Sequence, residues 1–274
     1  MMNTVSSNRI DDMFSKLKSE GSTALVPFIT VGDPSLDITI QLLHGLEAAG
    51  ANLIELGIPY SDPLADGPVI ERASARALKA GTTIEHGLAA ARRARAEGAK
   101  IPYVLFTYYN PVMQYGPERL FKALGEADIS GIIIPDLPIE ENASILDIAD
   151  RHGIHLIPLV APTSKERIQR IVKAGRGFIY CVSSLGVTGT RDSFDDRVTQ
   201  FLDEVRSSTD LPVAVGFGIS KPEHVQQFSA HCDGVIVGSA IVRQVEAALS
   251  LLEKPETVQE GVLQICEFVR QLKS

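Results

Sequence analysis

Eight short apolar runs, separated by segments of helical periodicity, constrain the fold of this 274-residue chain more than any other feature of its sequence. The runs lie at residues 24–30, 53–56, 103–106, 131–134, 155–159, 178–182, 213–215 and 235–237. Helical periodicity marks residues 38–49, 120–127, 143–152, 168–174, 198–205 and 223–229 between them. Nearly continuous apolar strands that alternate with helices indicate a parallel sheet covered on its outer face, because each parallel connection needs a helix to return the chain.

Eight such units favour a closed (β/α)8 barrel, the TIM-barrel architecture, over an open doubly wound sheet. An open sheet would more naturally carry a glycine-rich phosphate turn after its first strand, and residues 30–34, which read TVGDP, do not form one. An additional N-terminal helix is predicted from about residue 9 to residue 19, where it would plug the bottom of the barrel. Since no low-complexity linker interrupts the sequence, we predict a single TIM-barrel domain over residues 1–274.

Composition excludes several classes of partner. The 26 basic and 34 acidic residues give a formal net charge of −8, which disfavours binding to nucleic acid or to an anionic membrane surface. The longest apolar stretches fall short of the about 18 residues that a membrane span needs, and residues 1–7 show no secretory signal. We therefore expect a soluble, cytoplasmic protein. The three cysteines are widely spaced, which favours buried thiols over a disulfide framework or a zinc site.

Two carboxylates lie where a barrel enzyme carries its chemistry, at the carboxyl end of a strand and in the loop that follows. Residues 53–68 read LIELGIPYSDPLADGP, and Glu55 shares strand parity with Leu53 and Gly57, so its side chain should point into the barrel mouth. The alternative for Glu55 is a buried salt bridge, although the following loop offers no Lys or Arg. The alternative for Asp66 is a helix cap. Two carboxylates in different surroundings can divide acid and base roles.

The last three strands are followed by glycine-rich turns. Residues 186–190 read GVTGT, residues 216–220 read GFGIS, and Gly238-Ser239-Ala240 opens a helix. Ordinary tight turns are the alternative for each, but the ends of strands seven and eight are the usual phosphate position in such barrels. The sequence therefore predicts a phosphorylated substrate, with the loop after strand six able to close over it.

The residues at the carboxyl ends of the other predicted strands limit the kinds of catalytic mechanism that the site can use. None of the six histidines lies at the carboxyl end of a predicted strand, and Lys165 and Lys221 lie beyond the strand ends. Metal-dependent and Schiff-base mechanisms are therefore disfavoured, and we expect neither a metal nor a cofactor in this chain. Of the mechanisms considered, this leaves general acid–base catalysis by carboxylates, assisted by tyrosines in a pocket with apolar walls. The candidate side chains are Tyr108, Tyr180, Phe28, Phe106, Leu159 and Phe217.

The motifs together resemble those of the tryptophan synthase α subunit family. The similarity covers almost the whole chain and includes residues 27–34, 53–68, 108–111, 135–138, 186–189, 216–220 and 238–242. The resemblance implies retro-aldol cleavage of indole-3-glycerol phosphate into indole and D-glyceraldehyde 3-phosphate. It assigns proton transfer to Glu55, binding of the indole N–H to Asp66, and a supporting role beside the catalytic carboxylate to Tyr180.

The resemblance also implies the binding residues and the partner. Phosphate contacts fall on Gly189, Gly218, Gly238 and Ser239, and the indole pocket falls on Phe28, Phe106, Leu159 and Phe217. Thr188 corresponds to a loop threonine that helps to order Asp66. The loop around Asp62 would face a tryptophan synthase β subunit, the pyridoxal phosphate subunit of an αββα heterotetramer, which receives indole and forms L-tryptophan. Glu71 is a small departure, because glutamine is common there.

Three functions remain open from the sequence. The favoured one is an α subunit that works in the heterotetramer. The second is a stand-alone indole-3-glycerol phosphate lyase, and the third is a non-catalytic activator of a β-type subunit. The presence of both Glu55 and Asp66 speaks against the third.

Overall fold

Parallel strands and helices alternate along the chain in the computed structural model, which describes residues 8–182, 196–216 and 218–273. Those residues contain nine strands: β1 (Ala24–Thr30), β2 (Ile54–Gly57), β3 (Tyr103–Phe106), β4 (Gly131–Ile133), β5 (His155–Leu156), β6 (Leu159–Val160), β7 (Ile179–Val182), β8 (Val213–Gly216) and β9 (Gly234–Val237). Every pairing is parallel, in the order β5-β4-β3-β2-β1-β9-β8-β7-β6.

The helices form the outer layer and one end of the molecule. They are α1 (Arg9–Ser19), α2 (Leu36–Ala48), α3 (Pro68–Lys79), α4 (Ile84–Ala96), α5 (Tyr109–Tyr115), α6 (Pro117–Glu126), α7 (Ala143–His152), α8 (Ile168–Ala174), α9 (Asp196–Arg206), α10 (Pro222–Ser229), α11 (Ser239–Ala247), α12 (Leu249–Leu252) and α13 (Val258–Leu272), with a 3-10 helix at Pro162–Arg167. The predicted helices agree with these bounds to within three residues. In the part of the chain that the structure describes, no helix is both long and apolar enough to cross a membrane.

The prediction of one continuous fifth strand was wrong. Residues 155–159 divide into β5 and the start of β6, because Pro158 has no N–H to give to a strand ladder. The segment still closes the barrel, since the Ile157 N–H donates to the Ile132 carbonyl on one side and the Tyr180 N–H donates to the Pro158 carbonyl on the other. Because β5 and β6 together occupy one strand position, the nine strands fill the eight strand positions of a (β/α)8 barrel.

Helix α1 plugs the amino-terminal end of the barrel, as the sequence predicted. The Asn8 side chain caps it by accepting from the Ile10 N–H, and Ile10, Phe14 and Leu17 are buried. These three join the inward-facing strand residues in one apolar cluster, in which the rings of Phe14 and Phe178 lie 5.5 Å apart. The bottom of the barrel is therefore closed, and the carboxyl ends of the strands are where barrels of this kind bind their ligands.

The outer face of the barrel is apolar throughout. Outward-facing strand residues such as Ile54 and Leu56 belong to a second cluster that continues into the surrounding helices. Cys181, Cys232 and Cys266 are free and buried within it, which confirms the prediction of buried thiols.

Candidate active site

Glu55 lies inside the barrel, where no residue in the described part of the chain neutralises it. On β2 it is in register with Phe28 of β1 and Val104 of β3, and its side chain is fully buried. Neither carboxylate oxygen has a hydrogen-bond or ion-pair partner among the described residues, which does not support the salt-bridge alternative. Burial raises the pKa of Glu55 to about 8. A carboxyl group of this kind is protonated near neutral pH and can act as a general acid.

Asp66 lies at the end of the loop between β2 and α3. It is 8 % exposed, and its pKa is raised to about 6 by burial, with a smaller contribution from the charge of Glu71 and an opposing one from a hydrogen bond with Tyr108. The N-cap of α3 is Gly67, one residue further on, so the sequence alternative of a helix cap does not describe Asp66. Asp66 is thus mostly ionised at a pH where Glu55 is mostly protonated.

Two tyrosines adjoin these carboxyl groups. The Tyr108 hydroxyl bonds the Asp66 carboxylate and accepts from the Ala65 N–H at 3.1 Å, so it holds the end of this loop rather than lying free. Tyr180, on β7, is buried inside the barrel, and burial together with the charges of Glu55 and Asp66 raises its pKa. A Cβ at Gly216 would lie 2.7 Å from the Tyr180 hydroxyl oxygen, so glycine there leaves room for the phenol.

Aromatic and aliphatic side chains form a wall around the carboxyl pair. The ring centroids of Phe28 and Phe106 lie 5.7 Å apart in an edge-to-face arrangement, and Phe106 lies 6.5 Å from Tyr108. Leu159 is in register with Tyr180 on the neighbouring strand and packs against the cluster inside the barrel. The wall is suited to a flat apolar group.

The predicted anion site is partly described. Gly238 is the N-cap of α11 and Ser239 is its first residue, and the first turn of this helix carries no acidic side chain. Gly218 has a positive φ of 76°, which favours glycine. A helix N-terminus with free N–H groups and no competing carboxylate can accept a phosphate group. The predicted residues Thr188, Gly189 and Phe217 lie outside the described part of the chain.

The sequence did not single out two features of this site. The first is the close approach of Gly57 to Phe28: a Cβ at Gly57 would lie 2.3 Å from the Phe28 Cζ atom. Its signal was present, because a glycine two residues after Glu55 on the same strand face leaves space at the barrel mouth. The second is an ion-pair cluster of Asp33, Arg76 and Glu246. No local sequence pattern predicts this cluster, because its members are distant in the sequence.

The fold and the buried carboxyl groups at its strand ends define a (β/α)8-barrel enzyme. A family model described as tryptophan synthase alpha chain matches residues 14–273. The chain belongs to the tryptophan synthase alpha chain family, which confirms the resemblance seen in its motifs.

Individual members of the family are similar in sequence to this chain along most of their length. The tryptophan synthase alpha chain of Geobacillus kaustophilus is 50 % identical over 247 residues, covering 90 % of this chain and 92 % of the relative. The tryptophan synthase alpha chain of Halalkalibacterium halodurans is 49 % identical over 249 residues, covering 91 % of this chain and 94 % of the relative. The crystal structure of tryptophan synthase subunit alpha from Legionella pneumophila superposes with a TM-score of 0.84 at 34 % identity, covering 96 % of this chain and 99 % of that one. A Mycobacterium tuberculosis tryptophan synthase structure gives the same TM-score, identity and coverage. These structures confirm the barrel fold.

Proposed function

We propose that this chain is the α subunit of a tryptophan synthase and cleaves indole-3-glycerol phosphate into indole and D-glyceraldehyde 3-phosphate. The observation that carries the proposal is the fully buried carboxyl group of Glu55, which has no partner among the residues that the structure describes and whose pKa of about 8 suits a proton donor at neutral pH. Membership of the family supports the same reaction.

The reaction needs three proton-related tasks, and the site offers groups for each. Protonated Glu55 gives its proton to indole C3, and ionised Asp66 accepts a hydrogen bond from the ring N–H and stabilises the positive charge that develops there. Glu55, now a carboxylate, takes the proton of the C3′ hydroxyl as the C3–C3′ bond breaks. The electron pair of that bond returns to the indole ring, the C3′ oxygen becomes the aldehyde oxygen, and Glu55 is again protonated. Tyr180 adjoins Glu55 in a supporting role.

Substrate binding follows from the walls of the site. The indole ring lies among Phe28, Phe106 and Leu159, with Phe217 as a further member. The phosphate lies at the start of α11, where it is bound by the backbone N–H groups of Gly238 and Ser239 and by Gly218. By the family resemblance, Gly189 is a further phosphate contact and Thr188 helps to order Asp66. Binding at both ends holds the C3–C3′ bond beside Glu55, and positioning of this kind contributes much of the rate.

We also infer a β-subunit partner in an αββα heterotetramer, with pyridoxal phosphate in the β subunit and none in this chain. The surface around the loop after β2 supports such a partner, because Leu64 is 80 % exposed and Met113 is 50 % exposed. The Asn110 Nδ2 atom of α5 donates to the Tyr60 hydroxyl at 3.3 Å and connects the helix that carries Met113 to the loop that carries Leu64. The assembly would work in the cytoplasm, with this chain as a single barrel domain.

Indole release tests the proposal. The full chain is incubated with indole-3-glycerol phosphate alone and with a β subunit, and indole is measured in each case. We expect slow release alone and faster release in the complex. Full activity alone, unchanged by the β subunit, would favour the stand-alone lyase. No release under either condition, with a β subunit that is nevertheless activated, would favour the non-catalytic activator and contradict the proposed chemistry.

A further inference from the structure

Helices α3 and α11 lie side by side and both begin at the mouth of the barrel. Helix α3 starts two residues after Asp66, and α11 starts at Ser239. Near their N-termini the contact is apolar: Ile70 of α3 and Val242 of α11 belong to one cluster with Phe28. The two helices therefore carry the two polar ends of the proposed site, and their relative position sets the span between those ends.

About two helical turns below the mouth, charged side chains join the same helices. Arg76 of α3 binds Asp33 through two bonds, from Nε to Oδ1 at 2.7 Å and from Nη2 to Oδ2 at 2.8 Å. Its Nη1 atom also donates to Glu246 Oε1 of α11 at 3.3 Å. A single guanidinium thus connects the loop after β1, helix α3 and helix α11.

Because this cluster is partly buried, its charged groups must be paired with well-defined geometry. The side chain of Asp33 is 2 % exposed and that of Arg76 is 26 % exposed. A planar guanidinium can satisfy both oxygens of one carboxylate while reaching a second carboxylate, whereas a lysine ammonium cannot reproduce this fork. Arg72, which is 53 % exposed, binds both carboxylate oxygens of Glu246, from Nε to Oε1 at 2.7 Å and from Nη2 to Oε2 at 2.8 Å, and forms a second, more exposed link between α3 and α11.

We propose that Arg76 is a positioning residue for the reaction, which holds α3 and α11 at the spacing that places Asp66 and the phosphate site at opposite ends of one substrate. The inference rests on the proposed function. Arg76 touches neither the substrate nor Glu55 in this account, and it acts through the helices that carry the binding groups. A displacement of about 1 Å between such groups is enough to lower a rate by about 100-fold.

The test compares Arg76→Met with Arg72→Met in the full chain, assayed with a β subunit. For Arg76→Met we expect kcat for indole release to fall by about 100-fold, while the inhibition constant of inorganic phosphate stays unchanged because the start of α11 is intact. Arg72→Met removes the more exposed link between the same two helices and leaves Arg76 bound to Asp33 and Glu246, so its kcat should fall much less than that of Arg76→Met. Arg76→Lys should lie between Arg76→Met and the wild type.

A double variant separates positioning from stability. Arg76→Met alone leaves the Asp33 carboxylate buried without its partner, which destabilises the fold. Asp33→Asn with Arg76→Met removes that charge, so the midpoint of urea unfolding should recover while kcat stays low. Recovery of kcat together with stability, or a wild-type kcat in Arg76→Met, would overturn the inference. A wild-type chain that releases no indole would instead overturn the proposed function, and the inference with it.

Discussion

The hydroxyl of Tyr108, just beyond the end of β3, hydrogen-bonds the carboxylate of Asp66 at the end of the loop after β2. The bond favours the ionised form of Asp66, and the pKa of this group is about 6 although it is largely buried. Glu55 has no such donor among the described residues, and its pKa is about 8. The two carboxyl groups are therefore separated in pKa, so that one can be a proton donor while the other is an anion.

Removal of the Tyr108 hydroxyl should shift the pH dependence of the reaction. With Asp66 active as the anion and Glu55 as the acid, kcat/KM should rise with pH through about 6 and fall through about 8. In Tyr108→Phe the pKa of Asp66 should rise, and the acidic limb should move to higher pH. Tyr60→Phe is the control, because its hydroxyl lies against Asn110 instead. An unchanged acidic limb in Tyr108→Phe would show that this bond does not set the ionisation of Asp66.

Glu71 gives a prediction of the opposite sign. Its negative charge raises the pKa of Asp66, so Glu71→Gln should move the acidic limb to lower pH. The same series of kcat/KM measurements between pH 5 and 9 checks the direction. A shift to higher pH, or a change confined to the basic limb, would contradict the assignment of the acidic limb to Asp66.

Stability should also depend on the ionisation of Glu55. Its pKa rises from 4.5 to about 8 on folding, so its stabilising contribution is complete below pH 4.5 and is lost as the pH rises through 8. Glu55→Gln cannot ionise, so relative to wild type it should gain on the order of 4 kcal/mol between pH 5 and pH 8. Urea unfolding at the two pH values measures this difference. A constant offset between the two proteins would mean that Glu55 has no raised pKa.

The contact between Gly57 and Phe28 predicts a sharp steric effect. A Cβ at Gly57 would lie 2.3 Å from Phe28 Cζ, so Gly57→Ala must displace the ring and should destabilise the fold by about 1–3 kcal/mol. Gly125→Ala is the matched control: a Cβ there meets no atom within 4 Å, and alanine in helix α6 should stabilise by about 0.5–1 kcal/mol. Similar unfolding midpoints for the two variants would contradict the packing around Phe28.

The barrel and the placement of Glu55 could be predicted because both depend on local patterns. Alternation within 53–57 fixes which residues face inward, and the alternation of strands with helices fixes the parallel sheet. The divided fifth strand was missed because residues 155–159 are apolar enough to suggest one run, although Pro158 interrupts the ladder.

Contacts between distant segments could not be predicted in the same way. The bond from Tyr108 to Asp66 depends on how two loops meet at the mouth of the barrel, and Arg76 binds partners 43 and 170 positions away. The spacing of residues along the sequence does not predict pairings between such distant segments. The start of α11 at Ser239 was predictable because a glycine precedes the helix after the last strand, and the binding of an anion there stays a prediction.

Indole release by Glu55→Gln tests the role of Glu55, because the amide keeps the shape of the side chain but cannot donate and recover a proton as a carboxyl group does. We expect this variant, in complex with a β subunit, to release no measurable indole from indole-3-glycerol phosphate. Inorganic phosphate should inhibit the wild type and displace substrate from the variant with nearly the same affinity. Substantial turnover by Glu55→Gln would contradict the proposal that Glu55 transfers the protons.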